Sequence, residues 1–220
     1  MQIAIDGPAS SGKSTISKKI ASMRGLLYLD TGAMYRVVTL AALENKIDPS
    51  DEAGVKELLP TIQIRFEANE NGQLVFLNEE NVTDTIRGNQ VTNNVSAIAA
   101  QKLVREEMVK RQRQIAANHS IIMDGHDIGT VVLPDADLKV FLIATAEERA
   151  NRRFKENQLR GIETDYNQLL EEIKHRDYLD STRKESPLKK ADDAIELDST
   201  PLTIDQVVDT IVEWIDERNN

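Results

Sequence analysis

The 220-residue chain contains no cysteine. That absence excludes a disulfide framework, a thiolate zinc site, an iron–sulfur cluster and a cysteine nucleophile together. Cations are also in deficit. Lys and Arg number 27 against 37 Asp and Glu, for a formal net charge of −10. A sequence-independent grip on a nucleic acid polymer needs cations in excess facing the phosphates, so DNA and RNA are not expected as partners. No apolar run approaches the length that spans a bilayer, so no membrane partner is expected either. Met1-Gln2-Ile3-Ala4-Ile5-Asp6 has neither a basic n-region nor a long apolar h-region, which argues against a secretory leader. No internal repeat or low-complexity tract is found. These absences predict a cytoplasmic, globular, monomeric protein of a length that suits one domain.

What is present is an alternation of short apolar runs and helical patterns. Residues 2–6, 26–29, 120–123, 138–144 and 194–197 read as strands, and those at 120–123 and 138–144 are nearly all apolar, as strands covered on both faces would be. Residues 33–43 repeat apolar side chains at helical spacing, with Met34, Val37, Val38, Ala41 and Ala42 on one face. The alternation predicts an α/β fold with a parallel sheet between helices. Thr203-x-x-Gln206 is a capping-box pattern opening a last helix striped by Val207, Val208, Ile211, Val212 and Ile215. Residues 60–84 break the rhythm. Pro60 ends a helical segment, residues 62–68 alternate, Asn71-Gly72 signals a hairpin, and residues 73–77 answer as a partner strand. Val82 opens a candidate third strand. A small antiparallel insert is expected there.

Gly7-Pro8-Ala9-Ser10-Ser11-Gly12-Lys13-Ser14 fits G-x-x-x-x-G-K-[ST], and Thr15 follows. At average residue usage a chance match in this length is about one in a hundred, and here the motif follows a strand and opens a helix, the setting that confirms it. Gly7 and Gly12 let the backbone curl so that its N–H groups face phosphate oxygens, aided by the positive end of the helix. Lys13 supplies a point charge to the β- and γ-phosphates and the Ser14 hydroxyl a place on Mg²⁺. Residues 7–15 are therefore expected to bind ATP. Lys13 is expected to face solvent until they do.

A phosphate loop alone does not choose among kinases, GTPases and ATP-driven machines. Asn45-Lys46-Ile47-Asp48 fits the guanine-reading N-K-x-D pattern, and Asp51-Glu52-Ala53-Gly54 fits D-x-x-G, but they lie in the wrong order, before the middle strands. A polar helix end followed by Pro49 accounts for them. The basic residues point elsewhere. Residues 149–160 carry five basic side chains and one acidic, and residues 102–113 five and two, within an acidic chain. Phosphoryl transfer between two anions needs such charge, although a solvated helix face also accounts for each run. On a helix over 165–183, the apolar stripe Tyr166, Leu169, Ile173 continues as Arg176, Asp180, Arg183, as if running from the core into a polar cavity. Asp124, closing a strand, is a candidate outer-shell ligand of Mg²⁺.

GPASSGKST at 7–15, LDTGAMYR at 29–36, VSAIAA at 95–100, DGHDIGTVV at 124–132 and the Arg176-Asp-x-x-Asp180-x-x-Arg183 pattern together resemble the bacterial cytidylate kinases over nearly the whole chain. The resemblance implies a P-loop NTPase fold with a parallel sheet of about five strands flanked by helices, an antiparallel insert and a short lid. It implies a core at 1–37, 96–148 and 165–220, a monophosphate-binding subdomain at 38–95 and a lid at 149–164. It implies transfer of the γ-phosphoryl group of ATP, with Mg²⁺, to CMP or dCMP. Lys13, Arg149 and Arg153 would be catalytic, with Arg152 also in the lid or its hinge. Arg36 and Arg183 would hold the acceptor phosphate, with Thr31 beside Arg36. Ser96, Arg105 and Asp127 would read the base, and Arg176 and Asp180 the sugar. The residue types suit these tasks: cytosine offers an amine beside two acceptors, which a carboxylate, a hydroxyl and a guanidinium complement. Ser96 also reads as a helix N-cap. One departure is His126, where the family pattern has arginine; it bears on the acceptor phosphate. Two other readings compete. One is a small-metabolite kinase of the shikimate or gluconate type, and the other a nucleotide-binding regulator with impaired catalysis, marked by His126.

Overall fold

A computed structural model describes residues 1–69, 72–159 and 161–219. Asn71 of the hairpin signal and Arg160 of the basic run lie outside the described residues. Chain contacts divide the molecule into one unit of Met1–Leu29 with Asn118–Asn220 and a second of Asp30–Ala117.

The first unit is built on five parallel strands: β1 (Gln2–Asp6), β2 (Leu27–Asp30), β6 (Ile121–Gly125), β7 (Leu138–Ile143) and β8 (Ile195–Asp198). Their order is β2-β6-β1-β7-β8, with β1 central. Every residue of β6 is buried, as its continuous apolar run requires of a strand covered on both faces. The core joins Ile3 and Ile5 of β1 to Ile16 and Ile20 of α1 (Lys13–Arg24) and to Val207, Val208, Ile211 and Ile215 of α8 (Ile204–Asn219). The capping box closes as expected: Thr203 N–H donates to Gln206 Oε1 at 2.9 Å and Gln206 N–H to Thr203 Oγ1 at 3.3 Å. A smaller core joins Ala150 of α6 (Ala146–Leu159) to Leu169 and Ile173 of α7 (Tyr166–Thr182).

The second unit carries α2 (Thr31–Glu44), α3 (Glu52–Leu58), α4 (Asn89–Ala100) and α5 (Lys102–Ala116), with the antiparallel strands β3 (Ile64–Asn69), β4 (Gly72–Leu77) and β5 (Glu80–Asn81). The apolar face expected on α2 is buried throughout. The third strand precedes Val82 rather than starting there. Pro60 sits inside a single 3-10 turn, Leu59–Thr61, so α3 ends two residues before it. Asn45 caps α2 and Lys46 takes φ 56, a helix end as expected, with no guanine-reading strand nearby in sequence.

Candidate active site

In parallel α/β sheets ligands gather beyond the carboxyl ends of the strands. Here β1 lies between β6 and β7, with Ile5 opposite Asp124 and Asp6 opposite Gly125. The loop at residues 7–12 therefore leaves the sheet beside the run Asp124-Gly125-His126-Asp127. Gly7 takes φ +148, Ser10 φ 62 and Gly12 φ 96, the last directly before α1. The Ser14 hydroxyl donates to Asp124 Oδ2 at 2.7 Å. A serine hydroxyl against a buried carboxylate is a hard oxygen pair that suits Mg²⁺, which takes one or two protein oxygens and completes its shell with phosphates and water. Among the described residues no cluster of three or more His, Asp or Glu forms a separate metal cage.

Lys13 corrects the sequence expectation. It is buried, not solvent-facing, and its Nζ donates to the Pro8 carbonyl at 2.6 Å. The side chain folds back across its own loop and satisfies itself there. Burial pushes the ammonium down to about 8, against the pull of Asp124 and Asp6. Asp6, at the end of β1, is buried too. Its carboxyl is pushed up to about 7 by burial, against hydrogen bonds from Gly129 and Ile128 N–H.

Around this loop the first unit collects most of the residues named from the sequence. Asp180 is buried, with Oδ2 at 3.2 Å from His126 Nε2 and 3.6 Å from Arg176 Nε, and Oδ1 at 3.5 Å from Arg183 Nη1. Burial alone would raise the Asp180 carboxyl, but His126, Arg176 and Arg183 overcome it and hold it at about 2. Burial drives His126 the other way, below the usual imidazole range, more than Asp180 draws it up. The stripe on α7 thus passes from the Leu169–Ile173 core to an ionic cluster centred on the buried Asp180, as its sequence suggested.

The arginines of α6 behave differently from one another. Arg149 is buried. Its Nε donates to the Ala144 carbonyl at 3.0 Å and Nη1 to the Ala9 carbonyl at 3.1 Å, and the fork pairs with Asp177, Nη1 to Oδ1 at 2.9 Å. Arg152 Nη1 donates to the Ser11 carbonyl and to Ser199 Oγ, both at 3.1 Å. Both are fastened to the phosphate loop. Arg153 is held by Glu156 of its own helix, Nη1 to Oε2 at 3.2 Å. Sequence reasoning missed Asp177 and Ser199. Their signal was weak: an acidic neighbour of Arg176, and a serine just past the last strand.

In the second unit Arg36 Nη1 donates to Thr92 Oγ1 at 2.9 Å and to the Ile86 carbonyl at 3.1 Å. Thr31, the first residue of α2, is buried. Arg105 is buried, donates to the Ala99 carbonyl at 3.0 Å and stacks over Tyr35 at 5.2 Å. Its neighbours in the basic run do structural work, with Arg111 bonded to Glu107 and to the Ile62 carbonyl. Ser96 is not an N-cap. The helix starts seven residues earlier because Gly88, extended at ψ 159, breaks the chain there, so Ser96 is half-buried in the middle of α4.

A family model described as cytidylate kinase matches residues 3–217. A cytidylate kinase from Streptococcus suis (strain 05ZYH33) is 61% identical over 214 residues, covering 97% of this chain and 95% of that one. A cytidylate kinase from Anoxybacillus flavithermus (strain DSM 21510 / WK1) is 53% identical over 218 residues, covering 99% and 97%. Among solved structures, a shikimate kinase from Bacteroides thetaiotaomicron is similar at a TM-score of 0.52 and 12% identity, with 98% of each chain covered. That last likeness is one of fold alone.

Proposed function

The chain belongs to the cytidylate kinase family, and from that premise we propose how its residues share the reaction. The enzyme is a phosphotransferase that moves the γ-phosphoryl group of ATP to CMP or dCMP, giving ADP and CDP or dCDP. An oxygen of the acceptor phosphate attacks the γ-phosphorus while the bond from that phosphorus to the β–γ bridging oxygen breaks, and ADP leaves with the electron pair. Because the transition state is loose, the protein's task is placement and charge. Residues 7–15 take the donor phosphates on backbone N–H groups, and Lys13 leaves the Pro8 carbonyl for the β- and γ-oxygens. Ser14 and Asp124 would hold Mg²⁺, which supplies charge to offset that developing on the phosphates. Arg36 and Arg183 take the acceptor phosphate, with Thr31 beside Arg36. Arg176 and Asp180 take the sugar. Ser96, Arg105 and Asp127 take the base.

The observation that carries this reading is the ionic cluster about the buried Asp180, whose charges act on Lys13 of the phosphate loop. A donor loop alone would serve the small-metabolite kinases equally well. A preformed anchor for a sugar hydroxyl is what a nucleotide acceptor needs. An intact Lys13 and Ser14–Asp124 pair argue against a regulator with lost activity. A coupled assay with Mg-ATP should show turnover of CMP and dCMP and much slower turnover of purine monophosphates. Equal rates with AMP would end the assignment of the base-reading residues. A cytoplasmic monomer remains part of the proposal, and sedimentation at micromolar concentration tests the oligomeric half of it.

The lid proposed at 149–164 needs a narrower moving part. Water must be kept from the γ-phosphoryl group, yet Arg149 and Arg152 are fastened to the carbonyls of Ala9 and Ser11. The swinging portion therefore lies beyond Arg153. On adding a bisubstrate analogue, hydrogen exchange should slow at amides 154–164 and change little at 149–153. Unchanged exchange throughout would remove the lid.

His126 sets a third expectation. Because burial lowers its pKa, the imidazole is uncharged near neutral pH and gains its proton only below the ordinary value of 6.5. Arginine there would carry a permanent charge and a planar fork. His126→Arg should raise kcat/KM for CMP about three- to tenfold at pH 8, with the advantage shrinking only below about pH 6.5. A pH-independent ratio of one would show that position 126 does nothing for the acceptor.

A further inference from the structure

Asp6 belongs to no part of the donor or acceptor site assigned above, yet its position joins the two. It ends β1, and the phosphate loop begins with the next residue, Gly7. Its two carboxylate oxygens are used separately. Oδ1 accepts from Ile128 N–H at 2.7 Å and Oδ2 from Gly129 N–H at 2.7 Å, across more than 120 residues of sequence. All three residues are buried. The two donors directly follow Asp127, the residue assigned to the base, and they open a wide single turn, Ile128–Val132, whose first bonds return to the Asp127 carbonyl from Val131 at 2.9 Å and Val132 at 3.2 Å. Gly129 fits the carboxylate closely: a Cβ there would stand 3.2 Å from Asp6 Oδ2 and 3.2 Å from Lys139 Cδ.

We propose that Asp6 is a positioning residue for Asp127: by accepting both N–H groups that follow Asp127, its carboxylate fixes the base-reading residue to the end of β1, directly before the phosphate loop. A carboxylate in this place does both. A hydroxyl or an amide offers one acceptor group to two parallel donors. A carboxylate offers two oxygens at the spacing of successive backbone N–H groups. The consequence is that Asp127 and the phosphate loop share one fixture within the first unit, so this part of base recognition is registered against the phosphates. Near-attack geometry is sensitive to displacements of an ångström, so a fixture between Asp127 and the strand that carries the loop bears directly on transfer.

The proposal rests on the assignment of Asp127 to the base, so the experiment tests the two separately. In Asp6→Asn the amide oxygen satisfies one donor and the amide NH₂ confronts the other. Gly129→Ala is the milder second variant, which presses on the same contact without changing charge. Asp127→Asn is the reference. KM for CMP, KM for ATP, kcat and the CMP-to-UMP ratio of kcat/KM are measured for each at pH 8, above the value of about 7 to which burial pushes the Asp6 carboxyl, with thermal stability alongside. Asp6→Asn is expected to raise KM for CMP about tenfold and lower the CMP-to-UMP ratio in the direction of Asp127→Asn, with KM for ATP within threefold. Gly129→Ala should move the same two quantities by about threefold. A merely structural Asp6 would lower stability or the active fraction, hence kcat alone, and that result would overturn the proposal. So would a rise in KM for ATP equal to that for CMP, which would place Asp6 with the phosphate loop only. If Asp127→Asn leaves the CMP-to-UMP ratio unchanged, the base assignment fails and this proposal falls with it. If Asp127→Asn changes the ratio while Asp6→Asn and Gly129→Ala do not, only this proposal fails.

Discussion

Lys13→Ala is expected to lower kcat by about a thousandfold or more, near 4 kcal/mol of transition-state stabilisation, while the protein stays folded. The charge that Lys13 brings to the transferring phosphates has no substitute in the loop, whose other polar groups are backbone N–H and uncharged hydroxyls. The stability half follows from burial. The ammonium is held at about 8 instead of 10.5, so the folded protein tolerates its charge less well than water does. Removing it discards a hydrogen bond to Pro8 and an unfavourable desolvation together, and the melting temperature should move little or rise. The sign can be checked directly. Between about pH 8 and 10.5 the unfolded chain binds the Lys13 proton and the folded chain does not, so wild-type stability gains on that of the variant as pH rises through this window. Paired thermal melts across the range test it. An active Lys13→Ala protein would remove the loop from the mechanism.

What was legible in the sequence divides by the range of the interaction. The phosphate loop was legible because a curled backbone before a helix admits few residues, and Gly7, Gly12 and Lys13 occupy the required positions. The five strands and α2 were legible because burial on one or both faces writes a period into the chain. Asp180 was legible as the charged end of an apolar stripe. What failed depended on contacts that only the folded backbone brings together. Lys13 was expected in solvent because nothing local shows that Nζ can reach back to Pro8. Ser96 was expected as a cap because the Ala-rich run after it looks like a helix start, whereas Gly88 had already started the helix. Arg149 and Arg153 were taken together, but only the first has Asp177 and the Ala9 carbonyl within reach. Asp6 went unremarked because its partners stand more than 120 residues away. Arg149 and Asp6 meet their neighbours through the order of elements in the fold, which no local pattern encodes; Lys13 and Ser96 fail at shorter range, through the curl of the loop and the start of α4.

Gly7→Ala is expected to be the most damaging single-methyl change in the chain. The residue sits at φ +148, where side chains are strained, and a Cβ built there would lie 2.1 Å from the Leu142 carbonyl oxygen and 3.1 Å from its carbon. That obstacle is backbone of β7, a strand paired on both sides, with Asp6 opposite Phe141 and Leu142 opposite Leu197. It has no side chain to swing away. Relief requires β1 and β7 to part at the point where the loop leaves the sheet. Backbone strain and a broken ladder together put the loss at about 3–5 kcal/mol. Gly12 provides the contrast. It also has positive φ, at +96, but its nearest atom would be Ile16 Cδ1 at 3.5 Å. Gly12→Ala should therefore cost only the backbone strain, about 1–2 kcal/mol, and leave the sheet intact. Thermal melts of the two variants, with Mg-ATP binding by calorimetry, give the order. Gly7→Ala should melt far lower and bind no nucleotide, and Gly12→Ala should melt slightly lower and bind weakly. A Gly7→Ala protein as stable as Gly12→Ala would mean that β7 does not press on the loop, and that the register of β1 between its neighbours is not what positions the phosphates.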